Sequence, residues 1–263
     1  MTVSPQLLTS TPLAGKTAIV TGAGGGIGKA IAVLFAAAGA SVVVAEINEA
    51  AGKQAAAEIQ AAGGQALFVA TDVSKSQSVQ AMVQAAVTRF GRLDIAVNNA
   101  AMQCDTKPIS ELDEDYWNRL ISVNFTGVAL CLKWELQAMI AQGSGGSIIN
   151  MASATIRKPG PMMPAYTAAK HGVLGLTRSA AMENGAHKIR VNALSPGGTM
   201  TELTATGLQK LGLTEADMAS RIGVLGRFAQ PDEIAQAALW LALDASSYIT
   251  GAFVPVDAGY DLV

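Results

Sequence analysis

Residues 16–28 read Lys16-Thr-Ala-Ile-Val-Thr-Gly-Ala-Gly-Gly-Gly-Ile-Gly28. Lys16–Thr21 is a short apolar run of strand length. After the glycines come the helical pattern Lys29–Ala38 and a second apolar run, Ser41–Ala45. Strand, glycine turn, helix and strand make a βαβ unit, which implies parallel strands. Gly22, Gly24, Gly26 and Gly28, with Ile27 among them, allow a tight turn and close helix–strand packing. They also let backbone N–H groups and the positive helix end face a pyrophosphate. The spacing Gly22-xxx-Gly26-x-Gly28 is not the common G-x-G-x-x-G fingerprint, so the nucleotide-binding reading rests on the strand–turn–helix context.

Glu46 closes the second strand, roughly 20 residues past the glycines, where an acid accepts hydrogen bonds from an adenosine ribose. A carboxylate there repels a 2′-phosphate, and no Lys or Arg lies within 23–28 or 45–49 to attract one. The expected cofactor is NAD rather than NADP; the alternative is a solvated strand-end acid.

The alternation continues along the chain. Asn48–Ala62 reads as a helix, Ala66–Thr71 as a strand, and Ser74 as the cap of a helix to Phe90. Leu93–Val97 is a strand, Tyr116–Ile140 a long helix apolar on most faces, and Gly146–Met151 a strand. A helix runs from about Ala165 to Asn184, then a strand from Ile189 to Leu194. Pro231 starts a helix through Leu243, and Ala252–Val256 is the last strand. Residues 199–224 have weak periodicity and read as a mobile lid. The expected fold is α/β: a doubly wound parallel sheet of about seven strands with helices on both faces, in one domain over residues 13–263. A Ser/Thr/Pro-rich arm over 1–12 precedes it. Ligands of such sheets lie outside the carboxyl ends of the strands, where Asp72 and Asn98 fall.

The 263 residues are 50% apolar and 14% charged, with net charge −2 and two cysteines. That balance supports a sizeable core and argues against nucleic acid or an anionic membrane as partner. No apolar run suits a bilayer span. Cys104 and Cys131 are too few for a disulfide framework or a cysteine metal site. The chain reads as soluble and cytoplasmic.

Ser153-Ala-Thr-Ile-Arg-Lys-Pro-Gly-Pro-Met-Met-Pro-Ala-Tyr-Thr-Ala-Ala-Lys170 is the second informative stretch. Its prolines mark a loop, and the helix beside Pro164 places Tyr166 and Lys170 at i and i+4 on one face. An ammonium beside a phenol favours the phenolate; use near neutrality needs a drop of about 3 pKa units. By itself such a pair is common and mostly structural. Asn124, inside the long helix, is either a tolerated surface residue or a deliberate break.

Taken in order, Thr21-Gly22-xxx-Gly26-Ile27-Gly28, Asp72-Val73, Asn98-Asn99-Ala100, Asn124, Ser153, Tyr166-xxx-Lys170 and Pro196-Gly197 resemble the short-chain dehydrogenase/reductase family, as does the tail Gly226-Arg227-Phe228…Tyr248-Ile249-Thr250-Gly251. The resemblance covers the chain from about Leu13. It implies a Rossmann-like fold and hydride transfer between an alcohol and a nicotinamide dinucleotide. It implies Tyr166 as acid/base and Lys170 as the group that lowers its pKa and holds the nicotinamide ribose. Ser153 would orient the substrate oxygen, and Asn124 would kink its helix and hold a relay water. Asp72 and Val73 would flank adenine. Asn98, Ala100, Pro196, Gly197, Thr199 and Thr201 complete the implied cofactor contacts. It further implies a homotetramer, pairing the Tyr116 and Tyr166 helices across one interface and the last helix and strand across another. Ala101, Gly198 and Ala258 depart from the family pattern, and Gly198 is expected to loosen the nicotinamide pocket or the lid hinge.

The expected substrate is a hydrophobic, alicyclic secondary alcohol or ketone. Ser153, Met162, Met163, Tyr166 and Gly198 are its candidate contacts, because the lining is mostly apolar and has no arginine cluster. A 3-oxoacyl thioester reductase is the second enzyme reading. A dinucleotide-binding redox sensor or scaffold is the non-enzyme reading, opposed by the complete set Asn124, Ser153, Tyr166 and Lys170. His171 and His187 read as structural, and no metal is expected.

Overall fold

The computed structural model describes residues 11–218 and 221–263. Seven strands form one all-parallel sheet in the order β3-β2-β1-β4-β5-β6-β7. They are β1 Thr17–Thr21, β2 Ser41–Glu46, β3 Gln65–Ala70, β4 Ile95–Asn98, β5 Gly146–Met151, β6 Ile189–Pro196 and β7 Phe253–Val256. Successive side chains point to opposite faces, so the apolar strands feed two cores. Ala18, Val20, Val42, Val44, Ile95 and Val97 pack under α1 (Gly26–Ala37), α2 (Glu49–Ala61) and α9 (Pro231–Ala242). Ile19, Val43, Ala96, Ile148 and Val191 pack under α3 (Ser76–Phe90), α5 (Gly127–Gln142) and α6 (Pro164–Asn184). Burial on both faces explains why the strands read as continuous apolar runs.

The chain order reverses between β1 and β4, and Thr21 bridges that gap. Its hydroxyl donates to the Val97 carbonyl (3.3 Å) and accepts from the Asn99 and Ala100 N–H groups (2.9 and 3.0 Å). A crevice at such a reversal is where open α/β sheets bind ligands.

Several local expectations need correction. The long helix of 116–140 is two helices, α4 (Glu114–Ile121) and α5, joined by a π-helical turn at Ser122–Thr126. Ser74 does not cap α3, which starts at Ser76; its hydroxyl donates to Asp72 Oδ1 instead (2.6 Å). The stretch 199–224 holds two helices the sequence reading did not assign, α7 (Glu202–Leu211) and α8 (Glu215–Met218). Thr201 Oγ1 caps α7 by accepting from the Thr204 N–H, and Gly212 ends it at φ +64°. Of the expected arm, 1–12, residues 1–10 lie outside the described residues; Leu13, where the domain was expected to begin, is buried and its N–H donates to the Ala38 carbonyl. Among the described residues no helix is long and apolar enough to cross a membrane.

Candidate active site

The carboxyl ends of β1, β4, β5 and β6 are neighbours along one sheet edge. After β1 the glycine turn is forced by contact. A Cβ at Gly28 would lie 2.2 Å from the Gly22 carbonyl oxygen, and one at Gly22, where φ is +63°, 2.9 Å from the Ala100 Cα. Only glycine lets the start of α1 come this close. Gly25 caps α1 without a side-chain hydrogen bond, and no acid stands in the first turn. The first helical N–H groups and the positive helix end therefore face the crevice, an arrangement that fits a diphosphate. Thr201 Cγ2 lies against Gly26, 3.2 Å from where a Cβ would stand.

Glu46 is tied to this cradle. Its Oε2 accepts from the Gly24 N–H (3.1 Å), and its Oε1 accepts from the Ile47 and Asn48 N–H groups (2.9 and 3.0 Å). The carboxylate thus holds the glycine turn against the end of β2 as well as placing a negative charge there. Asp72 folds back onto Ser74, accepting from its N–H and hydroxyl. Val73 packs on Gly127, where an added Cβ would meet it at 2.9 Å.

Asn98 does not project into the crevice as a free ligand group. It is buried, and its Nδ2 donates to Glu135 Oε2 (3.0 Å) and Asn150 Oδ1 (2.9 Å). Asn150 in turn donates to the Thr177 hydroxyl. Sequence reasoning missed Glu135 because a lone acid in an apolar helix gives no spacing signal. Burial pushes its carboxyl up to about 7 against the lowering effect of the Asn98 bond.

Ser153 leaves β5 as the cap of a short 3-10 turn, its Oγ accepting from the Thr155 N–H (3.2 Å). Tyr166 and Lys170 lie on one face of α6, with Lys170 Nζ 5.5 Å from the Tyr166 ring centroid. Lys170 is buried and its Nζ donates to the Met151 carbonyl (2.7 Å). The expected acidification of Tyr166 is absent in this state. Burial drives the phenol well above its ordinary value, the nearby Cys104 thiol adds to the rise, and a hydrogen bond with Ser153 offsets part of it. The ammonium itself is weakened, since burial brings Lys170 down to about 8. Desolvation outweighs the one-turn spacing that the sequence showed.

Asn124 is fully buried in the π turn, and its side chain is engaged by loop backbone. Its Oδ1 accepts from the Met102 N–H (2.7 Å), and its Nδ2 donates to the Met102 carbonyl (3.2 Å). Gly197 passes so close to β7 that a Cβ would meet the Asp257 Cα at 2.7 Å. Gly198 does not loosen its surroundings: a Cβ would stand 3.0 Å from Phe228 and 3.3 Å from Ile222, side chains that fill the space. The Thr199 hydroxyl donates to the Gly197 carbonyl. Met162 is half exposed at φ +63°, and Met163 precedes α6. A cavity of about 260 Å³ beside the start of α6 is lined by Cys104, Asp105, Tyr116 and Trp117 among others, but not by Ser153, Tyr166 or Lys170.

The chain is similar to known proteins over nearly its whole length. Residues 22–261 match the family model described as "Enoyl-(Acyl carrier protein) reductase". The chain is 61% identical over 252 residues to "Short chain dehydrogenase/reductase astE" of Aspergillus oryzae, covering 95% of this chain and 97% of that one. It is 42% identical over 251 residues to a 2,5-dichloro-2,5-cyclohexadiene-1,4-diol dehydrogenase of Sphingobium indicum, covering 95% and 99%. The crystal structure of a short-chain type dehydrogenase/reductase from Mycobacterium marinum superposes with a TM-score of 0.88 at 37% identity, covering 94% of this chain and 96% of that one.

Proposed function

Because the chain belongs to the short-chain dehydrogenase/reductase family and is an oxidoreductase of CH–OH donors, we propose that it moves hydride reversibly between NAD and an alicyclic secondary alcohol or its ketone. The carrying observation is that Ser153, Tyr166 and Lys170 meet after β5, two strands along the same carboxyl edge of the sheet from the glycine turn that follows β1. The bound dinucleotide supplies the ring that takes or gives hydride and, when oxidised, a positive charge near the phenol. Glu46 favours NAD, since a second phosphate would meet its carboxylate.

Tyr166 carries the proton. In ketone reduction its neutral phenol, the form its buried setting favours, donates to the developing alkoxide; in alcohol oxidation it accepts the proton back. Ser153 hydrogen-bonds the same oxygen and sets its distance from the phenol. Lys170 spends one of its three donors on Met151, which leaves two for the ribose and for returning a proton to Tyr166. Asn124 lies within the π turn, and a water held there would link Lys170 to solvent. The apolar candidates Met162, Met163 and Gly198 suit a ring substrate, as does the diol-dehydrogenase relative. A homotetramer working in the cytoplasm belongs to the same proposal. Met182 on α6 and Trp240 on α9, both exposed, lie on helices it would pair.

A 3-oxoacyl thioester reductase is the second reading; it shares with the description of the matching family model only an acyl substrate, since an enoyl reductase acts on a C=C bond rather than a ketone. Absorbance of reduced nicotinamide with alicyclic alcohols, 3-hydroxyacyl thioesters, NAD and NADP separates the two. Ring alcohols with NAD are the expected pair; preference for acyl thioesters and the phosphorylated cofactor would overturn the first reading. Tyr166→Phe should lower turnover by about 10²–10⁴-fold while leaving NADH binding intact by fluorescence titration.

A further inference from the structure

The helix that carries Tyr166 lacks a cap of its own. Met163 precedes it and makes no side-chain cap bond, and Pro164 at the first position has no N–H to satisfy. The Thr167 N–H donates to the Met163 carbonyl (3.0 Å). The two remaining donors of the first turn, Ala165 and Tyr166, both go to a residue some 60 positions earlier. Asp105 Oδ2 accepts from the Ala165 N–H at 2.9 Å, and Asp105 Oδ1 accepts from the Tyr166 N–H at 3.1 Å. Every first-turn N–H of α6 is thereby accounted for. A carboxylate accepting two backbone N–H bonds at the positive end of a helix is a strong, charge-assisted arrangement.

Asp105 is itself held. Its loop leaves β4 at the Thr21 bridge, is gripped at Met102 by Asn124, and at Gln103 accepts through its carbonyl from the Tyr116 hydroxyl (3.0 Å). The glycine cradle, the π turn and the start of α6 therefore share one short strap of chain.

We propose that Asp105 is a positioning residue for the reaction: as a remote N-cap it fixes the Tyr166 backbone, and so the phenol, relative to Ser153 and the cofactor cradle. The proposal rests on the reading of Tyr166 as acid/base. The carboxylate touches no reacting atom; it acts through the peptide N–H of the residue that does. Displacement of a reacting group by about 1 Å can lower turnover by about 100-fold, the loss expected for Asp105→Ala.

The test compares Asp105→Ala, Asp105→Asn and Tyr166→Phe in the full chain, using the alcohol that wild type turns over fastest with NAD. Asp105→Ala should lower kcat about 100-fold, with KM for the alcohol and NADH affinity each within about threefold. Asp105→Asn keeps one acceptor oxygen and should recover about tenfold of that loss. Hydrogen exchange by mass spectrometry gives a readout that needs no turnover: peptides holding Ala165 and Tyr166 should exchange faster in Asp105→Ala, while the C-terminal half of α6 is unchanged. Unchanged protection there, or kcat within twofold of wild type while Tyr166→Phe is inactive, overturns the positioning role. Full turnover in Tyr166→Phe instead removes the acid/base reading, and this proposal with it.

Discussion

Ala258 holds its backbone at φ +54°, in the left-handed region where a side chain crowds the following carbonyl. It stands where the family pattern has glycine, and the sequence offered no reason to weigh that departure. The structure supplies one. Ala258 accepts from the Val224 N–H (2.7 Å) through its carbonyl, and a Cβ at Gly223 would lie 2.9 Å from its methyl. The segment after β7 is thus pinned against the segment that follows α8 in a conformation alanine resists. Ala258→Gly should raise stability by about 0.5–1 kcal/mol, the left-handed penalty less the extra freedom of glycine when unfolded. Urea denaturation checks this, and a lower midpoint would show that the lost methyl contacts outweigh the strain. The same scale shows what a sequence conveys poorly. The spacing of Tyr166 and Lys170 is legible because an α-helix fixes it, but the burial that raises the phenol and lowers the ammonium is contributed by residues far along the chain. Asp105 was invisible for the same reason: nothing local marks an aspartate as the cap of a helix some 60 residues away.

Elements were legible where their signals are local. Gly22 and Gly28 marked the first turn, where a Cβ would run into backbone, and Asn48 marked the start of α2, where its side chain does accept from the Ala51 N–H. At Ser122–Thr126 an apolar pattern runs on across the break, so Asn124 alone left a break and a tolerated surface residue both open, and the family resemblance decided between them. Helices α7 and α8 were missed because short polar helices carry little periodicity. The π turn makes a prediction of its own. Helix α6 passes it so closely that a Cβ at Gly172 would stand 2.6 Å from the Phe125 ring. That ring packs with Leu120, Ala165, Ala169 and Tyr166. Gly172→Ala gains about 1 kcal/mol of helix propensity but forces overpacking that costs about 1–3 kcal/mol, so the net change is a loss of up to about 2 kcal/mol. Because the displaced ring belongs to the Tyr166 cluster, kcat should fall along with the melting temperature. A variant more stable than wild type with full turnover would show that Phe125 is free to move and that the cluster does not set the phenol.

Across the whole molecule the active edge is fastened from below by buried polar groups that link four elements: Asn98 on β4, Glu135 on α5, Asn150 on β5 and Thr177 on α6. Asn98 Oδ1 and Glu135 Oε1 are buried acceptors without a donor, and a proton on the Glu135 carboxyl adds a donor to that cluster. Its folded pKa of about 7 lies above the ordinary 4.5. Between those values the folded chain binds more protons than the unfolded one, so stability falls as pH rises from 4.5 to 7 and the loss is complete above it. Lys170 acts with opposite sign in a separate window. Its folded value of about 8 lies below the ordinary 10.5, so its penalty is full below 8 and is relieved as pH climbs toward 10.5. Together the two groups place a trough in stability near pH 7–8, where the lysine is still mostly charged and the acid is ionised. Glu135→Gln removes the acid limb while keeping an acceptor oxygen and adding a neutral donor. Its stability relative to wild type should improve by up to about 3 kcal/mol between pH 5 and pH 8, measured as urea unfolding midpoints across that range. A difference that does not change with pH would mean that Glu135 stays in one protonation state throughout, and that the fastening beneath the site is indifferent to protons.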